Sequence, residues 1–376
     1  MSQKIFVSAC EPSSNLHLKA LSQYLSKQSQ ICGIFDKKTF ENFPNANPSY
    51  TLEHFSIMGF LDALKKITFF KKAINEMSDL AKTCDVVLLM DSSSFNLPLA
   101  KAIKKNSKVP IIYYILPQVW AWKAWRAKSI EKVCDRLCGI LPFEQMMYPN
   151  ALKAQRFSYV GHPLLDEITT FKREAVPHKQ GPIAFMPGSR KSEIKRIFPI
   201  FLEVAQNLDL PKILVVPEHF KTLDTQELIK IYGEGLKDFD ISFDANAALL
   251  ESSFAFICSG TATLQATLIG TPLVLGFKAR GFEVAIAKAL VKLKFVGLAN
   301  IFYNALHSGT PRAGEHQIHK EFIQEDLNAH NLLQAYEECD AKDFLSKAKE
   351  IRAYLQKGSA KEVAQIIESY QDSQST

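Results

Sequence analysis

Three stretches of the 376-residue chain carry residue types able to do chemistry. Asp91 closes the apolar run 86–90 and is followed by Ser92-Ser-Ser-Phe-Asn96. A carboxylate at the carboxyl edge of a buried strand is placed to act as a general base, and equally to cap the helix that follows; the sequence leaves both open. Pro187-Gly-Ser-Arg190 interrupts the apolar run 183–186 and opens a helical spacing at Ile194, Ile197, Phe198, Phe201, Ala205 and Leu208. Such a strand-turn-helix gathers unpaired N–H donors at the positive end of a helix dipole, and Arg190 adds a charge suited to phosphate. The run 254–258 leads into Ser259-Gly-Thr-Ala-Thr-Leu-Gln265, a second turn of this kind with a small, hydroxyl-rich tip. Either turn alone also reads as an ordinary βα connection. Two on strands of one sheet can converge on one diphosphate.

Other candidates are less specific. Cys10-Glu-Pro-Ser-Ser-Asn15 follows the run 5–9 and lacks G-x-G-x-x-G, which disfavours a dinucleotide-binding turn. Glu11 there suits a sugar hydroxyl or, with Ser14 and Asn15, a helix cap. In Pro117-Gln-Val-Trp-Ala-Trp122, beside Lys123 and Arg126, the indoles of Trp120 and Trp122 either floor a sugar or lipid site or cement the loop. His162, in Gly161-His-Pro, reads as a ligand or acid, or as a structural turn histidine. Asn300 and Gln324 follow later runs and could complete a nucleotide pocket.

These residues need elements to hold them at strand ends. Apolar runs at 5–9, 31–35, 86–90, 110–115 and 137–141 alternate with helical patterns near 15–28, 62–82, 95–105 and 127–133; further runs lie at 183–186, 213–216, 239–243, 254–258 and 273–277. Such alternation is the pattern of a parallel sheet wrapped by helices, and its length suits two doubly wound α/β domains. The polar segment 169–181 reads as the linker. The expected division is 1–168, 169–345, and 346–376 as a C-terminal helix returning to the first domain with a disordered end. Composition is that of a soluble globular protein: 47% hydrophobic and 22% charged, with a net charge of +6 that suits nucleotides or an anionic surface without selecting one. Seven scattered cysteines, several inside apolar runs, point to reduced thiols, and no second pair at ligand spacing supports zinc. No run approaches the roughly 18 apolar residues of a spanning helix, so the expectation is a cytoplasmic, non-spanning protein. The segments 60–74 and 279–295 combine bulky apolar residues with lysines and nearly no acid, as a helix lying on anionic lipid would. Packing on the protein's own sheet accounts for them equally.

Six of these motifs stand in order across most of the chain: Asp91 to Asn96, Pro117-x-Val-Trp-Ala-Trp122, Leu141-Pro-Phe-Glu144, Val160-Gly-His162, Pro187-Gly-Ser-Arg190 and Ser259-Gly-Thr-Ala262. Together they resemble the lipid-A-disaccharide synthase family. The resemblance implies a GT-B architecture, two Rossmann-like domains facing an interdomain cleft, and an inverting, metal-independent glycosyltransferase. It would move 2,3-diacylglucosamine from its UDP form to the 6-hydroxyl of 2,3-diacylglucosamine 1-phosphate and release UDP, with no cofactor and no nucleic-acid partner. It makes Asp91 the base. The donor set is Gly188, Ser189, Arg190, Ser259, Gly260, Thr261, Ala262, Gln265, Asn300 and Gln324; the acceptor set is Glu11, Ser14, Asn15, Asn96, Trp120 and Trp122. It also implies peripheral attachment at the inner face of the cytoplasmic membrane and allows a homo-oligomer. Two departures stand out: the family's G-E-x-S-G-D loop is Cys10-Glu-Pro-Ser-Ser-Asn15 here, and Gln265 replaces a Glu that commonly holds the ribose. The competing readings are another UDP-sugar transferase or epimerase on the same fold, and a non-catalytic UDP-sugar or lipid-binding protein.

Overall fold

The computed structural model describes residues 2–56, 63–121, 123–176, 180–258, 260–278, 293–312 and 314–372. Ser259, Trp122, most of the basic apolar segment 279–295, residues 60–62 of the other, and the extreme tail lie outside them. The chain forms two compact units, Met1–Glu167 with Leu355–Thr376, and Ile168–Tyr354. The return to the first unit thus falls at Leu355 rather than 346, so most of the helix Ala341–Leu355 belongs to the second. The start of the expected linker is packed, since the Lys172 amide donates to Ile269 O at 2.8 Å and its buried ammonium donates to Ser252 O.

The first unit is built on β1 (Lys4–Ala9), β2 (Gln30–Ile34), β3 (Ala46–Tyr50), β4 (Val86–Met90), β5 (Ile111–Tyr114), β6 (Arg136–Gly139) and β7 (Phe157–Tyr159). These make one 7-stranded sheet in the order β3-β2-β1-β4-β5-β6-β7, with every pairing parallel. Successive strand residues face opposite ways. Phe6, Val87, Leu89, Ile111 and Tyr113 therefore join one core, while Ile5, Val7, Val86, Leu88, Ile112 and Tyr114 join the other. The second core includes Val363, Ala364 and Ile367 of the last helix, Ala360–Asp372, which packs beside the helix Pro12–Ser22.

The second unit holds β8 (Ile183–Met186), β9 (Lys212–Val215), β10 (Asp240–Ser242), β11 (Phe254–Ile257), β12 (Leu273–Phe277) and β13 (Glu321–Ile323) in a 6-stranded parallel sheet ordered β10-β9-β8-β11-β12-β13. The helix Lys191–Gln206 lays Ile194, Ile197, Phe198, Phe201, Val204 and Ala205 into its core and runs unbroken through Pro199.

In both sheets the winding reverses at one point: between β1 and β4 in the first, between β8 and β11 in the second. Ligands of open α/β sheets bind beyond the strands' carboxyl ends at such switch points. Glu11 and Asp91 follow the first pair, and the turn at 187–190 and the helix that opens at Gly260 follow the second.

Candidate active site

Asp91 sits on a strained turn. It and Ser92 both have positive φ, 48° and 41°, a left-handed conformation that side-chain-bearing residues rarely adopt twice running. The surrounding structure holds it there. Asn96 donates through Nδ2 to Met90 O at 2.9 Å and Asp91 O at 3.0 Å, and its Oδ1 accepts from Ser8 Oγ at 2.6 Å. Tyr113 Oη donates to Asp91 O at 2.8 Å, and the Asp91 amide donates to Tyr114 O at 3.2 Å. Asn96 and Tyr113 are both fully buried, so the turn is anchored from the core. The N-cap of the helix Ser93–Asn106 is Ser92, which leaves the Asp91 carboxylate for other work.

Burial is the main cause that pushes the Asp91 carboxyl up to about 6; the charge of Glu11 adds to it, and the Ser92 amide and His17 oppose it. A base near neutrality is matched to accepting a hydroxyl proton. Glu11 is exposed and its Oε1 accepts from Ser92 Oγ at 2.9 Å, so it braces the same turn. Although it occupies the N-cap position of the next helix, its side chain makes no cap bond.

The other acceptor-side expectations divide. Asn96 is a positioning residue whose amide is spent on Ser8, Met90 and Asp91. Asn15 is buried too, donating to Ala9 O and Glu11 O while its Oδ1 accepts from the Asp36 amide and Thr39 Oγ1, which ties the loop after β1 to the end of β2. Ser14 is fully buried, which also places it in the scaffold. Trp120 is 2% exposed and meets Phe143 edge-to-face at 5.4 Å, so it cements the loop. Among the described residues the exposed indole is Trp125, at 70%, beside Arg126, whose Nη1 donates to Ser93 Oγ at 3.2 Å two residues from Asp91. Its surroundings in the sequence, Ala124 and Arg126, gave no periodic pattern to mark it.

Removing the Asn96 brace tests this division. Asn96→Ala takes an amide donor from Met90 O and Asp91 O and an acceptor from the Ser8 hydroxyl in a buried setting, and should cost about 2–4 kcal/mol in urea unfolding, with turnover reduced through a displaced Asp91. Unchanged stability would show that the turn holds itself.

Two further motifs are structural joints. Glu144 accepts from the Ile140 and Leu141 amides at 2.9 and 3.1 Å and, being buried, is pushed up to about 8. His162 is buried and pushed down to about 3; its amide donates to Lys357 O at 2.8 Å. Gly161 needs its φ of +97°, because a Cβ would lie 2.4 Å from Lys357 O. With Asp166 accepting from the Ser359 and Ala360 amides, this motif receives the returning chain.

On the second sheet, Ile257 pairs with Met186 and the Cys258 amide donates to Met186 O at 3.0 Å, so the two turns leave adjacent strands side by side. Gly188 adopts φ +114°, and a Cβ there would come within 2.9 Å of Cys258 Sγ. Only glycine lets the turn lie this close to its neighbour. Arg190 is the N-cap residue of its helix, with a side chain 78% exposed. Glu193, which the sequence reading passed over, reaches back to the amides of Ser189 and Arg190, both at 3.3 Å, and to Arg190 Nη1 at 3.0 Å. A Glu three residues after a cap was the signal that could have found it.

Gly260 opens the helix Gly260–Ile269, with Thr261 exposed and Ala262 half-buried. Gln265 Nε2 donates to Asn246 Oδ1 at 2.8 Å, so its amide is tied to the neighbouring helix. Asn300 is fully buried: Nδ2 donates to His319 O and Glu321 Oε1, and Oδ1 accepts from the Ile318 and His319 amides. Glu321, pushed up by burial, also accepts from the Val296 and Gly297 amides. Asn300 therefore ties its helix, Leu298–Ser308, to the segment 318–321 that leads into β13. Gln324, at φ +59°, stands at the carboxyl end of β13 on the same sheet edge as both turns.

Two doubly wound units, one presenting a braced carboxylate and the other a pair of strand-turn-helix units at its switch point, have the architecture of a glycosyltransferase of the GT-B class. A family profile for lipid-A-disaccharide synthetase matches residues 5–364. Curated relatives described as lipid-A-disaccharide synthase include one from Helicobacter pylori strain HPAG1, 52% identical over 366 residues with 96% of each chain covered. Another, from Campylobacter jejuni, is 44% identical over 96% of this chain and 98% of its own. Among solved structures, an S. aureus MnaA–UDP co-structure aligns with 98% of this chain and 96% of its own at a TM-score of 0.58 and 15% identity, a likeness of fold. The chain belongs to the lipid-A-disaccharide synthase family, glycosyltransferases of lipid A biosynthesis.

Proposed function

We propose that this protein transfers 2,3-diacylglucosamine from UDP-2,3-diacylglucosamine to the 6-hydroxyl of 2,3-diacylglucosamine 1-phosphate, with inversion and without a metal. The observation that carries the reading is the Asp91 carboxylate, held on a strained turn at a switch point and titrating near 6. It takes the acceptor hydroxyl proton as the oxygen bonds to the sugar's anomeric carbon; the bond from that carbon to the diphosphate breaks, and its electron pair leaves with UDP. Attack from the face opposite the leaving group inverts the anomeric centre. The 187–190 turn, Arg190 and the start of the helix Gly260–Ile269 stabilise the departing charge, work that a metal does in other glycosyltransferases. UDP is part of the donor and the product, so no separate cofactor is required. The test is incubation with both lipid substrates and chelator: UDP release with disaccharide formation is expected. Turnover of UDP-N-acetylglucosamine in place of the acylated donor would overturn the substrate assignment.

The substrates are lipids, and we place the protein at the inner face of the cytoplasmic membrane. Among the described residues no helix is long and apolar enough to cross a membrane. The helix Ala63–Ala81 exposes Lys71 and Lys72, a basic face suited to anionic headgroups. Co-sedimentation with anionic vesicles should fall as salt rises and in the Lys71→Glu, Lys72→Glu double variant. Binding indifferent to both would remove this helix from the contact.

A further inference from the structure

In the donor turn, the groups that would bind an anion already hold one, and it belongs to the protein. Glu193 Oε2 lies 3.3 Å from the Ser189 and Arg190 amides, and Oε1 lies 3.0 Å from Arg190 Nη1. Oε2 is also 2.9 Å from where a Gly188 Cβ would stand, so it fills the hollow that the glycine leaves open. These are the backbone donors and the cation through which the turn would grip a diphosphate. Two anions cannot share them, since one N–H serves one strong acceptor and the like charges would repel at contact distance.

The bonds are of a kind that can be given up. At 3.3 Å the two amide contacts sit beyond the usual range of strong N–H···O bonds, and the Arg190 pair is exposed on the arginine side. A diphosphate offers more oxygens and more charge to the same donors, and short charge-assisted bonds replace long ones.

We propose that Glu193 is an internal competitor for the diphosphate: it occupies and pre-shapes the Ser189–Arg190 donors when no nucleotide is bound, yields to the donor, and on returning favours UDP release after transfer. This rests on the 187–190 turn being the diphosphate site. Glu193 is a positioning residue, touching the donor groups and making no bond to the sugar.

The test is calorimetric titration of the full chain with UDP, together with thermal melting. Glu193→Gln keeps the shape and capping reach of the side chain while removing its charge, and should bind UDP about 10-fold tighter, with product inhibition strengthened in parallel. Glu193→Ala should also bind more tightly than wild type, and should melt about 2 °C lower because the cap is gone. A merely structural cap gives the opposite sign, with affinity falling together with melting temperature. Wild-type binding of UDP that is unchanged or weakened in both variants overturns the inference and leaves the site assignment standing. Failure of wild type to bind UDP, or binding unaffected by Arg190→Ala, overturns the site assignment itself and the inference with it.

Discussion

Asp91→Asn is expected to lower turnover by about 10²–10⁴-fold, the span of general-base catalysis, and at the same time to make the protein more stable. The two effects share one cause. Burial and the neighbouring charge of Glu11 push the carboxyl up from an ordinary 3.8 to about 6. The folded state thus holds the proton more tightly than the unfolded chain does. The stability this group contributes is fully present below its ordinary value and is lost as pH rises through about 6. Above that, the ionised carboxylate costs roughly 2–3 kcal/mol, by the usual 1.4 kcal/mol per pK unit. Asparagine has no charge to bury. Its melting temperature should exceed wild type at pH 7.5, with the advantage shrinking toward pH 4. Turnover of the wild type should rise with pH through about 6, as the base ionises, and the residual rate of Asp91→Asn should lack that inflection. A variant that is inactive but less stable at pH 7.5 would assign Asp91 to the scaffold, since a group that only braces the turn gives nothing back when removed.

What made this turn legible was the strand before it. Val86 to Met90 is buried on both faces, and a continuous apolar run ending in a carboxylate is visible without a structure. The same holds for the other central strands. The three strands the pattern did not show, β3, β7 and β13, are all at sheet edges. An edge strand packs less of its surface, and Ala46-Asn-Pro-Ser-Tyr50 alternates buried and open positions with a proline among them, which reads as loop.

The sequence marked the turns after the strands but not the hydrogen bonds that surround them. Asn15, Asn96 and Asn300 each stand beside a functional segment, and amides suit sugars and nucleotides. Each is spent mostly on backbone groups, because a strained or irregular strand end leaves carbonyls and amides that something buried must satisfy. For Trp120 the sequence left two roles open, a ligand platform or a loop cement, and its contact with Phe143 in the core shows the second. Residue type reports what a side chain can bond to. Which bond it makes depends on partners such as Ser8 and Glu321, which lie 88 and 21 residues away in the chain.

The donor turn yields the second large effect. Arg190→Ala should lower kcat/KM by about 10²–10³-fold, as loss of one preorganised donor to a departing oxyanion does elsewhere. The fold should not register the change, because the side chain is 78% exposed and its ion pair with Glu193 is of the surface kind that contributes little. A melting shift beyond that of an ordinary surface substitution, about 0.5 kcal/mol, would mean that the arginine serves the helix rather than the leaving group. Lysine should restore part of the rate, since it supplies the charge without the planar fork that grips two oxygens. The loss should appear in kcat as well as in KM, because charge on the diphosphate grows as the glycosidic bond breaks and the cation is worth most at that moment. Arg190→Ala and Glu193→Gln dismantle the same ion pair, yet they should move UDP affinity in opposite directions. A turn whose pair served only to cap the helix would gain no affinity from Glu193→Gln, which keeps the cap, so the two signs together separate a diphosphate clamp from an ordinary helix start.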